Sequence, residues 1–130
     1  GVAIWKDAGI GNGWQQIGFD QIAAWRPEFV TLVAYGGDVS KVKQQLAKDP
    51  LWAEMHAVKQ HKLLAFPEDF VSWDQPDSRW ILGLCWLAAI LHPEIPALKS
   101  DMHELHRSFF ALYGLTAEQI NEIAVSGDYF

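Results

Sequence analysis

The stretch from Trp73 to Glu94, W-D-Q-P-D-S-R-W-I-L-G-L-C-W-L-A-A-I-L-H-P-E, limits this chain more than any other. A polar loop runs into thirteen residues, Arg79 to Leu91, that are apolar at every position after Arg79 except Gly83. Pro76 sets a turn, and Asp77 or Ser78 can accept a hydrogen bond from a free N–H at the start of the helix that follows. His92-Pro93 ends that helix, because proline has no donor and restricts the residue before it. At about 1.5 Å per residue the run is roughly 20 Å long, too short to cross a bilayer. A helix that is apolar all round is therefore expected to be buried in protein, and a charge placed at Leu84 is expected to unfold the domain.

A chain of 130 residues is one ordinary domain, large enough to bury a core without disulfides. Its formal net charge of −6, with no cluster of lysine or arginine, argues against nucleic acid as a partner. The single cysteine, Cys85, has no partner for an intrachain disulfide and reads as a buried, inert thiol within the apolar helix. Seven tryptophans point to a ring-rich core or to a cleft flanked by rings. The start at Gly1, inside an apolar run, reads as a piece of a longer chain, so the lack of a leader segment here is uninformative.

In order, Val2 to Trp5 reads as a strand and Lys6 to Gly13 as a glycine-rich loop without a phosphate-binding spacing. Trp14 to Gly18 leads into a short helix over Phe19 to Arg26, stopped by Pro27. Phe29 to Tyr35 (F-V-T-L-V-A-Y) is β-branched and aromatic, a strand expected to be covered on both faces and ended by Gly36-Gly37. Val39, Val42 and Leu46 mark a helix capped by Asp38 or Ser40 and stopped at Asp49-Pro50. Leu51 to Val58 makes a loose helical turn, Lys59 to Lys62 a polar turn, and Leu63 to Phe66 another strand. Beyond Glu94 the chain is helical. Asp101 with Glu104 starts a helix whose inward face is Met102, Leu105, Phe109, Leu112 and Tyr113, closed by Gly114. Thr116 and Gln119 make a second capping box, and Ser126 to Phe130 is expected to fray. The rhythm is α/β: a small, mostly parallel sheet flanked by helices, with a helical C-terminal half, over residues 1–130 as a single domain.

Few residues point to catalysis. His103 and His106 lie three apart on one helix, so both can meet one metal, with Glu104 nearby and His92 upstream. The H-E-x-x-H spacing is not present, and a solvated helix face explains the pair without a metal. Glu68, Asp69, Asp74 and Asp77 cluster around Trp73, either as a carboxylate pair for acid–base work or as a solvated rim. Trp73 itself reads either as a ligand platform or as a lid on the core. No nucleophile elbow and no Cys–His pair is present, so an enzyme is not expected.

Four stretches taken together resemble a known family. They are W-Q-Q-I-G-F-D-Q-I-A-A-W-R-P-E-F-V-T-L (Trp14 to Leu32), D-P-L-W-A-E-M-H-A-V-K-Q-H-K-L-L-A-F-P (Asp49 to Pro67), the Ser72 to Glu94 stretch, and F-F-A-L-Y-G-L-T-A-E-Q-I (Phe109 to Ile120). In order and spacing they are similar to the C-terminal lobe of ABC-transporter substrate-binding proteins of the iron-siderophore, haem and cobalamin type, whose two lobes are joined by a rigid helix. No single stretch is a ligand signature, and the N-terminal lobe, the bridging helix and any lipoprotein segment have no counterpart here.

The resemblance implies one lobe of a two-lobed, extracytoplasmic binding protein, in some relatives a lipoprotein, anchored to the membrane only outside this chain. It implies capture of a metal chelate, most simply an iron–siderophore type, for delivery to an ABC permease, with no tightly bound cofactor and no resident metal. Haem, cobalamin or molybdate/tungstate would use the same fold; a metal-dependent enzyme using His103 and His106 is the alternative from another class. Ligand contacts are expected from loops at the strand ends: Phe70, Ser72 and Trp73, together with Trp14 and Tyr35. A surface acid that docks on permease arginines is expected at Asp74, or else at Asp69 or Glu68.

Overall fold

The computed structural model of the chain describes residues 15–98 and 101–129. The expected strand at Val2 to Trp5, the glycine loop after it and Trp14 lie outside those residues. Within them, α1 (Phe19–Trp25) leads to β1 (Val30–Leu32), followed by α2 (Val39–Lys48), α3 (Pro50–Ala53), α4 (His56–Lys59) and β2 (Leu63–Ala65). Then come α5 (Trp80–Leu91), a 3-10 turn at Pro96–Leu98, α6 (Met102–Ala111) and α7 (Ala117–Asn121). The strands pair in parallel, Val30 opposite Leu63, Thr31 opposite Leu64 and Leu32 opposite Ala65. The fold is α/β as expected, with α2 packed against both strands.

Local chemistry explains most element ends. Asp38 caps α2 by accepting from Lys41 N at 2.9 Å, and Asp49 closes α2 and opens α3, its Oδ1 accepting from Leu51 N and Trp52 N. Pro50 sits in the first turn of α3, where a missing N–H costs nothing. Asp101 caps α6 at Glu104 N, and Thr116 with Gln119 forms the full reciprocal box at α7. Gly114 ends the α6 region at φ +80.

Five expectations need correction. β1 covers three residues rather than Phe29 to Tyr35, because its partner β2 stops before Pro67 and the chain turns at Ala34, whose carbonyl accepts from Gly37 N. Thr31 is exposed, so the strand is not covered on both faces. The α5 helix is not buried all round. Leu82, Gly83 and Trp86 face inward, while Trp80, Ile81 and Leu84 are open, Leu84 by 50%. Gly83 allows the close approach: a Cβ there would lie 2.6 Å from the Trp73 carbonyl.

The inward face of α6 is Met102, His106 and Phe110, a strict four-residue repeat, with Leu105 and Phe109 only half-buried and Leu112 and Tyr113 exposed. The tail does not fray over its described residues. Glu68 and Ser126 exchange backbone hydrogen bonds at 3.1 and 2.9 Å, and Asp128 N donates to Ala65 O at 2.8 Å. The Asp128 carboxylate accepts from Ala65 N and from Lys43 Nζ, both at 2.7 Å, while its carbonyl accepts from Trp86 Nε1. Asp128 thus supplies the partners that the open edge of β2 would otherwise lack.

The core lies between β2, α5, α6 and this tail. Phe66, Trp73, Leu82, Trp86 and Met102 form its buried centre, with Phe66 and Trp86 rings 4.8 Å apart and Tyr129 set edge-on to Trp73 at 5.6 Å. Cys85 is half-buried on α5 and is a free thiol.

Candidate functional site: the loops after the two strands

Both parallel strands point their carboxyl ends at the same end of the sheet, where open α/β sheets leave a crevice. The loop after β1 brings Tyr35 and Gly36 there. Gly36 takes φ +73, a backbone conformation that suits glycine. The longer loop after β2 brings Phe70, Val71, Ser72 and Asp74. Between them lies an open depression of about 1010 Å³. The Tyr35 hydroxyl donates to an Asp74 carboxylate oxygen and so ties the two loops together. Burial, then the Asp74 carboxylate beside it, raises the Tyr35 pKa above its ordinary value.

The loop after β2 is held from beneath. The Asp69 side chain has no exposed surface, and it accepts from Trp73 Nε1 and from Arg79 Nη1, each at 3.0 Å. Arg79 also grips Asp77, Nη2 to Oδ2 at 2.6 Å, and Asp77 takes the Arg79 backbone N–H at 2.8 Å. The hydrogen bond from Arg79 holds the Asp77 carboxyl below the usual carboxylate range. Asp77 is therefore an acceptor just before α5, but its side chain takes the N–H of Arg79 and caps none of the first-turn N–H groups of the helix itself. One guanidinium clamps both ends of the loop.

His106 completes the underside. It is 5% exposed, stacks on Trp73 with ring centroids 5.9 Å apart, and meets Phe110 and Tyr129 edge-on. Its Nε2 lies 4.0 Å from Asp69 Oδ2, beyond hydrogen-bond range, and finds no partner among the described residues. Burial lowers its pKa, outweighing the opposite pull of Asp69. His103 is exposed and packs on the edge of Tyr129 at 4.4 Å. The two histidines therefore do not share a solvated face, as the spacing had allowed. Among the described residues no three of His, Cys, Asp and Glu stand close enough to hold an ion together.

The predicted site residues divide accordingly. Tyr35 and Phe70 stand on the rim, 54% and 70% exposed, with Asp74 also exposed. Glu68 is half-buried, accepts from the Ser126 hydroxyl at 3.0 Å and lines the same depression. Ser72 lines it too but is 3% exposed, its Oγ without a partner among the described residues. Trp73 is fully buried, so the reading of its ring as a ligand platform gives way to a core role. Asp69 is likewise removed as a docking acid, because its carboxylate is enclosed and paired with Arg79. Trp14 lies outside the described residues.

Arg79, Asp128 and His106 were not singled out as supports of the site. A lone arginine at the head of an apolar run was the one available signal, since a charge there needs an acid partner.

Comparison with known proteins adds three findings. A family model described as Periplasmic binding protein matches residues 1–70. The Molybdate-binding protein MolA of Haemophilus influenzae is 29% identical over 84 residues, which is 64% of this chain and 23% of that protein. The matched part thus spans about a quarter of the length of that relative. No solved structure matches the chain.

Proposed function

The chain belongs to the periplasmic binding protein family, and on that premise we propose that it is the C-terminal lobe of a two-lobed solute-binding component of an ABC importer. The observation that carries this reading is the depression at the carboxyl ends of β1 and β2. It is wide and open on one side, with an aromatic rim from two loops and a rigid, clamped floor. Such a surface supplies half of a cleft and gains affinity when a second lobe closes over the ligand. Binding and release without covalent chemistry is the role proposed for it, in keeping with the binding proteins it resembles.

The ligand we assign is a metal chelate of the iron–siderophore type, contacted in this lobe by Tyr35, Phe70 and Ser72. Haem and cobalamin are further chelates of the size such a depression admits. Molybdate or tungstate enters through the name of the Haemophilus influenzae relative. Asp74 is the acid we assign to docking on permease arginines, because it is exposed and carried on a braced loop, with Glu68 as the second choice. The whole protein then works outside the cytoplasm. No helix among the described residues is long and apolar enough to cross a membrane.

The test is a titration of the full-length protein with ferric siderophores, haem, cobalamin and molybdate, read by tryptophan fluorescence. At least one is expected to change the emission saturably. Silence from all of them overturns the assignment.

A further inference from the structure

The charge balance of the depression bears on what it can hold. Four carboxylates stand around it, and they are not equivalent. Asp69 is paired with Arg79, and Asp38 caps α2 and lies 3.2 Å from Lys41 Nζ. The side-chain partners of Glu68 and Asp74 are neutral donors, the hydroxyls of Ser126 and Tyr35. No lysine, arginine or histidine lines the depression among the described residues. Because Tyr35 commits its proton to Asp74, that hydroxyl has none to offer an anion.

Other groups on the same wall point to a ligand of mixed character. Phe70 and Val71 are exposed apolar side chains on a loop whose backbone is held firmly beneath. Ser72 is buried on that wall with its Oγ unpartnered among the described residues, a polar group that a bound ligand would satisfy. An anion drawn from water into this half-cleft would meet two uncompensated carboxylates and no cation from the described residues. A cation would meet the opposite sign, and a neutral chelate would lose nothing by entering.

We propose that this cleft selects a cationic or neutral metal chelate with an apolar outer face, and disfavours anionic chelates and free oxyanions. Glu68 and Asp74 set the sign of the field, and Phe70 provides the apolar contact. The proposal rests on the solute-binding reading above and narrows it by charge class.

The experiment uses the full-length protein and four probes: a singly cationic ferric trihydroxamate, a neutral one, a trianionic ferric tris-catecholate, and molybdate. The cationic and neutral chelates are expected to bind on the order of tenfold or more tighter than the two anions. The double variant Glu68→Gln, Asp74→Asn is expected to move the cation-to-anion affinity ratio on the order of tenfold toward the anion, with an unchanged circular dichroism spectrum. A wild-type preference for the tris-catecholate or for molybdate overturns the proposal, as does an unchanged ratio in a folded double variant. If that variant does not fold, a salt series on the wild type decides. Affinity for the cationic chelate falling with added salt supports the proposal, and affinity rising with salt overturns it. Binding of none of the four, nor of haem or cobalamin, defeats the solute-binding reading itself, which separates that failure from an error of charge class alone.

Discussion

Asp69 and Asp74 are five residues apart on one loop, with the same side chain and opposite duties. Asp69 points down, has no exposed surface, and holds Trp73 and Arg79 in place. Asp74 lies on the open side, exposed at the rim of the depression and hydrogen-bonded by Tyr35. The same contrast separates Trp73, fully buried, from Phe70, 70% exposed. The loop is thus scaffold on one face and open surface on the other. A buried ion pair is costly to break and adds little when intact, whereas a rim charge costs little to remove and acts through its field. A count of acids along this stretch therefore says nothing about which of them a ligand or a permease can meet.

The contrast continues into α5, and the largest effect is expected there. Leu82→Asp buries a charge in a packed core and is expected to cost upward of about 4 kcal/mol, abolishing cooperative unfolding in a urea titration. Leu84→Asp, on the open side of the same helix, is expected to fold with a change within about 1 kcal/mol. Equal damage at both positions would mean that something covers the outer face.

Asp69→Ala comes next. It strands Arg79 and the Trp73 indole N–H, and a loss of about 3–5 kcal/mol is expected for one partner removed from a buried pair. A shift below about 1 kcal/mol would place Asp69 with the rim acids.

A smaller effect should appear with pH. Burial depresses the folded pKa of His106, so between that value and the ordinary histidine pKa of about 6.5 the unfolded chain binds more protons than the folded one. Stability is then complete above about 6.5 and declines as the pH falls toward the folded value. Asp69 opposes this shift, while the neighbouring charges of His103 and Arg107 reinforce it. His106→Phe is expected to flatten the thermal-stability profile between about pH 7 and 5, and an unchanged slope would assign the acid sensitivity elsewhere.

Asp74→Ala is the mildest change for the fold, within about 0.5 kcal/mol, yet transport of the ligand into cells should be impaired. Normal uptake by this variant moves the docking role to Glu68.

What the sequence disclosed follows the range of the forces involved. The caps at Asp101 and Thr116, and Asp38 as one of two candidates beside Ser40, were legible because each acts within three residues on its own backbone. The parallel pairing of β1 with β2 was legible in outline from two apolar runs separated by a helix. The inward face of α6 was not, since Leu105 and Phe109 compete with His106 and Phe110 as apolar markers, and only the Trp73 ring decides between them. Nor was the role of Trp73, because a large ring among acids suits a rim or a core until its neighbours are known. The acids of the candidate site were legible as a group but not individually. Their assignment depends on Arg79, ten residues from Asp69, and on Tyr35, thirty-nine residues from Asp74.

The bond from Ala65 N to the Asp128 carboxylate spans sixty-three positions, and the one from Trp86 to the Asp128 carbonyl spans forty-two. As the chain is synthesised, β2 and α5 emerge well before the residue that completes them. Until Asp128 follows, an amide at the sheet edge and an indole at the core have no permanent acceptor. The edge of β2 and the Trp86 indole therefore complete their hydrogen bonding only once Asp128 has been made.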